Sequence, residues 1–161
     1  MVRKPIIIGC DNAAVELKNV VIGTLKEECI PFEDVGVNSP EDQTEYPLVA
    51  QRTVEKIIAS DYRKEGILIC GTGIGMAITA NKFPGIYAAV CHDNYSAERA
   101  RLSNNSNVLC MGARIIGPEL AKKVLREWLS LEFKGGRSLS KVQKIAAIEQ
   151  ENYAKARVAK A

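Results

Sequence analysis

The chain has 161 residues, 47% of them hydrophobic, and a formal charge of +3 at pH 7. That length and apolar content suit one domain with a sizeable core. Its basic residues are scattered among acids, not gathered into the stripe that a nucleic-acid surface needs. Five cysteines without CxxC spacing argue against structural zinc and against a disulfide framework. The opening run "MVRKPIIIGCDN" is too brief for a signal segment and no window approaches a membrane span, so a reduced, cytoplasmic protein is expected.

In chain order, "PIIIGC" (5–10) reads as a first buried strand, and residues 12–30 follow with Leu17, Val21 and Leu25 on one helical face. "PFEDVG" (31–36) predicts a second strand, "NSPEDQTEYP" a polar loop, and Pro47 the start of a helix to residue 60. "GILIC" (66–70) is the third strand, with a short helix after "GTGIG". "GIYAAVCH" (85–92) and "NVLCMGA" (107–113) are the fourth and fifth, separated by a helix over 94–105. Residues 117–133 predict a helix with Leu120, Val124, Trp128 and Leu131 along one face, and residues 138–160 a final helix, a tail after about 150. Its small basic excess (Lys155, Arg157, Lys160) reads as a solvated surface.

Strands alternating with helices, the strand runs nearly all apolar, imply an α/β fold: a Rossmann-like three-layer sandwich in one domain. Its five-stranded sheet is mostly parallel, with helices on both faces and a C-terminal helix, joined by right-handed crossovers. Ligands of such sheets bind outside the carboxyl ends of the strands, near a switch in strand order. Asp11, Cys70, His92 and Gly112 all fall at or just after predicted strand ends and can share that rim.

"CGTGIG" (70–75) is neither the dinucleotide fingerprint nor a Walker loop, so NAD or ATP binding is poorly supported. Its successive N–H groups, leading into a helix, suit an anion or oxyanion; the alternative is a structural tight turn. Cys70 directly precedes them. A thiol so placed has its thiolate favoured and can act as a base or nucleophile, while a cysteine ending a strand is also a common small core residue. Asp11 reads as a site carboxylate or a helix cap, with Asn12 as the competing cap. Tyr46 stands in a polar loop, where an exposed tyrosine is equally ordinary, and a lone histidine such as His92 is more often structural than catalytic. Arg114 and Arg137 can each clamp a phosphate, or can be plain surface residues.

Together the stretches "GCDNAAVELK", "TEYP", "GILICGTGIGMAITANKFPGI", "YSAERARLSNNSNVLCMGARIIG" and "LSLEFKGGRSLSKVQKIAAIE" resemble the ribose-5-phosphate isomerase B and galactose-6-phosphate isomerase family. The resemblance covers nearly the whole chain in order. It implies a homodimer or dimer of dimers with the site shared between subunits. It also implies a metal-free, cofactor-free interconversion of aldose and ketose phosphates through an enediol or enediolate. By that resemblance Cys70 is the base between C1 and C2; some members use a glutamate inside the glycine loop, where this chain has Met76. Thr72 and the N–H groups of Gly71, Gly73, Ile74 and Gly75 become the anion hole, where charge develops only as the proton leaves. Asp11, Tyr46 and Asn104 would hold substrate hydroxyls, and Arg114, Arg137 and Lys141 the phosphate. Lys141 replaces a frequent arginine, keeping the charge but losing the fork.

Three departures stand out. Most ribose-5-phosphate isomerases of this type have histidine where this chain has Asn12, Ser103 and Ser138. The histidine at the Ser103 position is the one the family uses to open the furanose ring. A serine hydroxyl has no accessible pKa near neutrality for that task. The leading expectation is an isomerase of the ribose 5-phosphate/ribulose 5-phosphate type. Its alternatives are an open-chain tetrose or tetrulose 4-phosphate, a hexose 6-phosphate, or a non-catalytic sugar-phosphate-binding partner subunit.

Overall fold

The computed structural model describes residues 3–158. Its strands are β1 (Ile6–Cys10), β2 (Phe32–Asp34), β3 (Glu65–Cys70), β4 (Ala88–Val90) and β5 (Val108–Gly112). All four pairings are parallel and the spatial order is β2-β1-β3-β5-β4, so the sheet is wholly, not mostly, parallel. The helices are α1 (Val15–Glu27), α2 (Tyr46–Ala59), α3 (Ile74–Ala80), α4 (Asn94–Asn104), α5 (Pro118–Ser130) and α6 (Leu139–Val158), with a short 3-10 turn at Asn12–Ala14 ahead of α1. The expected end of the last helix at Lys160 lies outside the described residues.

The three central strands are buried along their whole length. Covered on both faces, they have no solvent side, so their sequences run apolar without alternation. The edge strands have only three residues each and are shorter than predicted. Beyond β2 the chain stays extended, with Val35 and Val37 still donating to the carbonyls of Ile8 and Cys10. In α5 the buried stripe is Ala121, Val124, Leu125, Trp128 and Leu129. Leu120, expected on that face, is 38% exposed, and Leu131 lies past the helix end. The chain steps outward from β1 to β2, then back across to β3. The switch in strand order therefore falls between β1 and β3, at whose carboxyl ends Asp11 and Cys70 lie.

Two buried cations, neither visible in an amphipathic pattern, hold the connecting loops. The Lys18 ammonium, 1% exposed, donates to Asp34 Oδ2 (2.7 Å), the Val37 carbonyl (2.7 Å) and Asn38 Oδ1 (2.8 Å). It ties α1 to the start of the loop that leads to Tyr46. At the amino edge of the sheet, Arg101 makes a forked pair with Glu65 (3.0 and 3.2 Å). It also donates to the carbonyls of Ser106 (2.6 Å) and Leu131 (3.2 Å), and lies over the Trp128 ring at 4.3 Å. α6 returns to the loop before β4: Glu149 accepts from the Gly85 amide and the Tyr153 hydroxyl donates to the Lys82 carbonyl.

Removing one partner of a buried ion pair leaves the other uncompensated, at a cost of about 3–5 kcal/mol. Arg101→Met should therefore lower the urea unfolding free energy by about 3 kcal/mol or more, and the double variant with Glu65→Gln should recover part of it.

Candidate active site

At the carboxyl end of β3 the chain turns sharply. Gly73 adopts φ +77°, a left-handed conformation open to glycine, and an added Cβ there would lie 3.0 Å from the Met111 backbone. The turn brings the Gly73 N–H to 3.1 Å from Cys70 Sγ, with the sulphur as acceptor. A thiolate accepts such a bond more strongly than a thiol does. Thr72 is exposed, its hydroxyl accepting from Ile74 N–H at 3.3 Å. Thr72, Gly73, Ile74 and Gly75 thus form a polar lip around the sulphur, leading into α3.

Three of the other thiols are deeply buried. Burial pushes Cys10 up to about 12, partly offset by the nearby Lys18 ammonium, and pushes Cys91 up to about 11. Cys110, wholly enclosed, is raised well above the usual thiol range. Cys10 and Cys91 donate weakly to carbonyls. Among the described residues Cys70 is the thiol that accepts an amide N–H.

Around it stand residues from four other connections. Asp11 caps the turn after β1 by accepting from Ala13 N–H (3.1 Å), so the capping role expected of it is the one observed. Burial raises the Asp11 carboxyl above its usual range, opposed by the Ala13 amide and by the Arg114 guanidinium. The Arg114 side chain lies beside Gly71: a Cβ there would meet its Cδ and Nε at 3.5 and 3.6 Å. Its own amide bonds the Gly71 carbonyl at 3.0 Å, and Ala113 N–H bonds the Cys70 carbonyl at 2.8 Å. The Tyr46 ring rests on Gly75, where an added Cβ would fall 2.5 Å from a ring carbon. Asp11, Asn12 and Tyr46 border an open cleft of about 410 Å³ together with Gln43 and Thr44. Those last two were missed in the sequence; the polar run "NSPEDQTEYP", on the rim side of the sheet, was the available signal.

His92 also reaches this rim, and its Nε2 accepts the Gly112 N–H at 2.9 Å. Burial lowers its basicity, and Asp93 only partly opposes this. No three His, Cys, Asp or Glu side chains among the described residues group as metal ligands, and no described helix is long and apolar enough to cross a membrane.

The remaining candidates lie elsewhere. α4 starts at the carboxyl rim and runs back beside the sheet for 11 residues, about 16 Å at 1.5 Å per residue. Ser103 and Asn104 at its end therefore sit near the amino edge, where Ser103 Oγ accepts from Arg99 and Asn104 Nδ2 donates to the Arg99 carbonyl. Arg137, in the 3-10 turn Gly136–Ser138 beside α4, and Lys141, in the first turn of α6, are exposed there too. A five-carbon sugar phosphate cannot span that separation. One chain thus assembles Asp11, Asn12, Tyr46, Cys70 to Gly75 and Arg114, and holds Ser103, Asn104, Arg137 and Lys141 apart from them.

A family profile described as Ribose/Galactose Isomerase matches residues 6–145. The chain belongs to this family. A ribose-5-P isomerase B of Listeria innocua is 50% identical over 147 residues, covering 91% of this chain and 98% of the relative. A D-erythrulose-4-phosphate isomerase of Pectobacterium atrosepticum is 48% identical over 146 residues, covering 91% and 95%. The structure of ribose-5-phosphate isomerase B from Clostridium thermocellum superposes with a TM-score of 0.86 at 38% identity, covering 92% of this chain and 99% of that one. As a member of the ribose/galactose isomerase family the chain is an aldose–ketose isomerase, an intramolecular oxidoreductase, and the expected α/β sandwich is the fold observed.

The raised Asp11 carboxyl has a consequence for stability. Its folded pKa lies above the unfolded value, so the folded state favours the neutral form. That stabilisation is complete below the unfolded pKa and lost as pH rises through the folded one. Asp11→Asn, which can still cap the turn, should thus raise the urea midpoint at pH 7.5, and the gain over the parent should shrink as pH falls into the carboxylate range.

Proposed function

We propose that the protein interconverts an aldose phosphate and its ketose phosphate by moving one proton between C1 and C2. The Gly73 N–H on Cys70 Sγ, beside a lip of glycine amides at the β1/β3 switch, carries this reading. The Cys70 thiolate takes the C2 proton of the aldose. The electron pair moves into a C1–C2 double bond, and negative charge grows on the C1 oxygen. In this reading the Thr72 hydroxyl and the N–H groups of the Gly71–Gly75 loop that Cys70 Sγ and Thr72 Oγ do not already hold supply donors where that charge develops, which is where preorganised donors lower a barrier most. The Cys70 thiol then returns the proton to C1, and the hydroxyl at C2 becomes the ketone as its proton passes to the C1 oxygen. Asp11, Asn12 and Tyr46 suit substrate hydroxyls and Arg114 the phosphate.

A second copy of the chain completes the site in this reading. Asn104, Arg137 and Lys141 face solvent at the opposite edge of their own sheet, and α6 beside them exposes Leu139, Ile145 and Ile148. Exposed apolar side chains along this helix, next to solvent-facing site candidates, suit a homodimer contact. Each site then takes Cys70 from one copy and Asn104 and Arg137 from the other. Mixing inactive Cys70→Ala subunits with inactive Arg137→Ala subunits should restore about a quarter of parental activity, because one site in each mixed dimer is intact. A mixture as dead as its components would sink the shared site.

For the substrate, the state of the one imidazole favours four carbons. His92 is the only histidine, and its Nε2 is committed to Gly112. Opening a furanose calls for a group that exchanges protons near pH 7 at the ring oxygen. A tetrose 4-phosphate has its C4 oxygen esterified, so no five-membered ring closes and none need be opened. Erythrose 4-phosphate and erythrulose 4-phosphate are therefore the preferred pair. Ribose 5-phosphate is the second reading, favoured by the Listeria innocua relative, which is as similar as the tetrulose-phosphate one.

In deuterated water the parent should convert erythrose 4-phosphate with solvent deuterium entering at carbon, and ribose 5-phosphate on the order of 100-fold more slowly. Cys70→Ala should lose about 10³-fold in kcat while remaining folded. Equal turnover of both sugars would favour the pentose reading, and silence on both would defeat the isomerase reading itself.

A further inference from the structure

The pairing of β4 with β5 ends at Val90↔Cys110, whereas β5 continues to Gly112. Successive amides of a strand point to opposite neighbours. Ala113 N–H turns towards β3 and bonds the Cys70 carbonyl, so Gly112 N–H points the other way, past the end of the β4 ladder. The His92 imidazole takes the place of the absent strand carbonyl, accepting that amide at 2.9 Å.

Gly112 is where the two halves of the rim touch. A Cβ on it would lie 2.7 Å from Thr72 Cα, so the anion-binding loop rests directly on its backbone. Its carbonyl accepts from Ile115 and Ile116 N–H at 3.0 and 3.1 Å, closing the turn that presents Arg114. We propose that His92 is a positioning residue of this isomerase: by holding the Gly112 amide it fixes the Gly112–Ile115 turn, and through that turn the Arg114 guanidinium and the back of Thr72. His92 moves no proton in the reaction. Its effect reaches the substrate through Arg114, and the inference rests on the reading of Arg114 as a phosphate ligand.

The test compares the parent with His92→Phe, which removes the acceptor, and His92→Gln, whose side-chain oxygen can reach the position of Nε2. KM and kcat for erythrose 4-phosphate and hydrogen exchange at the Gly112 amide by NMR are measured in all three. In His92→Phe, KM should rise about tenfold with kcat within about threefold, and the Gly112 amide should lose protection. His92→Gln should return KM to within about twofold of the parent and restore protection. A parental KM in His92→Phe would overturn the proposal. So would a His92→Gln enzyme that is impaired although its Gly112 amide is protected, since the imidazole itself would then be at work. If His92→Phe does not fold, the His92→Gln pair of measurements decides alone. A parent that turns over no sugar phosphate would mark failure of the isomerase reading, while amide exchange would still report whether His92 holds Gly112.

Discussion

The rim depends on one close approach, that of the loop after β3 to the end of β5. Two glycines make it possible from opposite sides. Gly73 turns left-handed where an added Cβ would stand 3.0 Å from the Met111 backbone, and Gly112 lies against Thr72 where one would stand 2.7 Å from its Cα. With side chains at both positions the strand ends would be wedged apart. The Cys70 and Gly71 carbonyls would then lose the amides of Ala113 and Arg114. The sulphur, the amides beside it and the guanidinium opposite are thus set by backbone contacts, which vary less than side-chain rotamers do.

The buried cations serve the same end from farther away. Lys18 gathers Asp34, Val37 and Asn38, and so anchors the loop carrying Gln43, Thr44 and Tyr46 over the cleft. Arg101 gathers Glu65, Ser106 and Leu131 and anchors the two stretches on which Asn104 and Arg137 stand. Each charge is paired and hydrogen-bonded, the condition under which burial of an ion is tolerated. One braces the connections at the carboxyl rim, the other those at the amino edge.

The parts legible in the sequence were those set by local chemistry. Unbroken apolar runs gave β1, β3 and β5, because a doubly covered strand has no solvent side to vary. The glycines of "CGTGIG" announced a turn too tight for side chains, and the cysteine before them its occupant. What escaped depends on partners distant in sequence. The lengths of β2 and β4 are decided by where their neighbours stop, the burial of Lys18 by acceptors on another connection, and the task of His92 by a β5 amide twenty residues away. Tail composition could not show that Tyr153 reaches back to Lys82. Nor could spacing show that Ser103 and Asn104 are carried to the opposite edge, which follows from the length and direction of α4.

The sorting of the thiols by depth makes the protein chemically addressable. Cys10 at about 12 and Cys91 at about 11 are overwhelmingly protonated at neutral pH, and Cys110 is sealed in the sheet. An electrophile in solution reacts with thiolate at an accessible sulphur. It therefore meets first the surface residue Cys29. Cys70, at 5% exposure, is largely shielded at the rim, which leaves Cys29 as the sulphur open to solvent. A chromophore or isotope label could then be placed there without rebuilding the core.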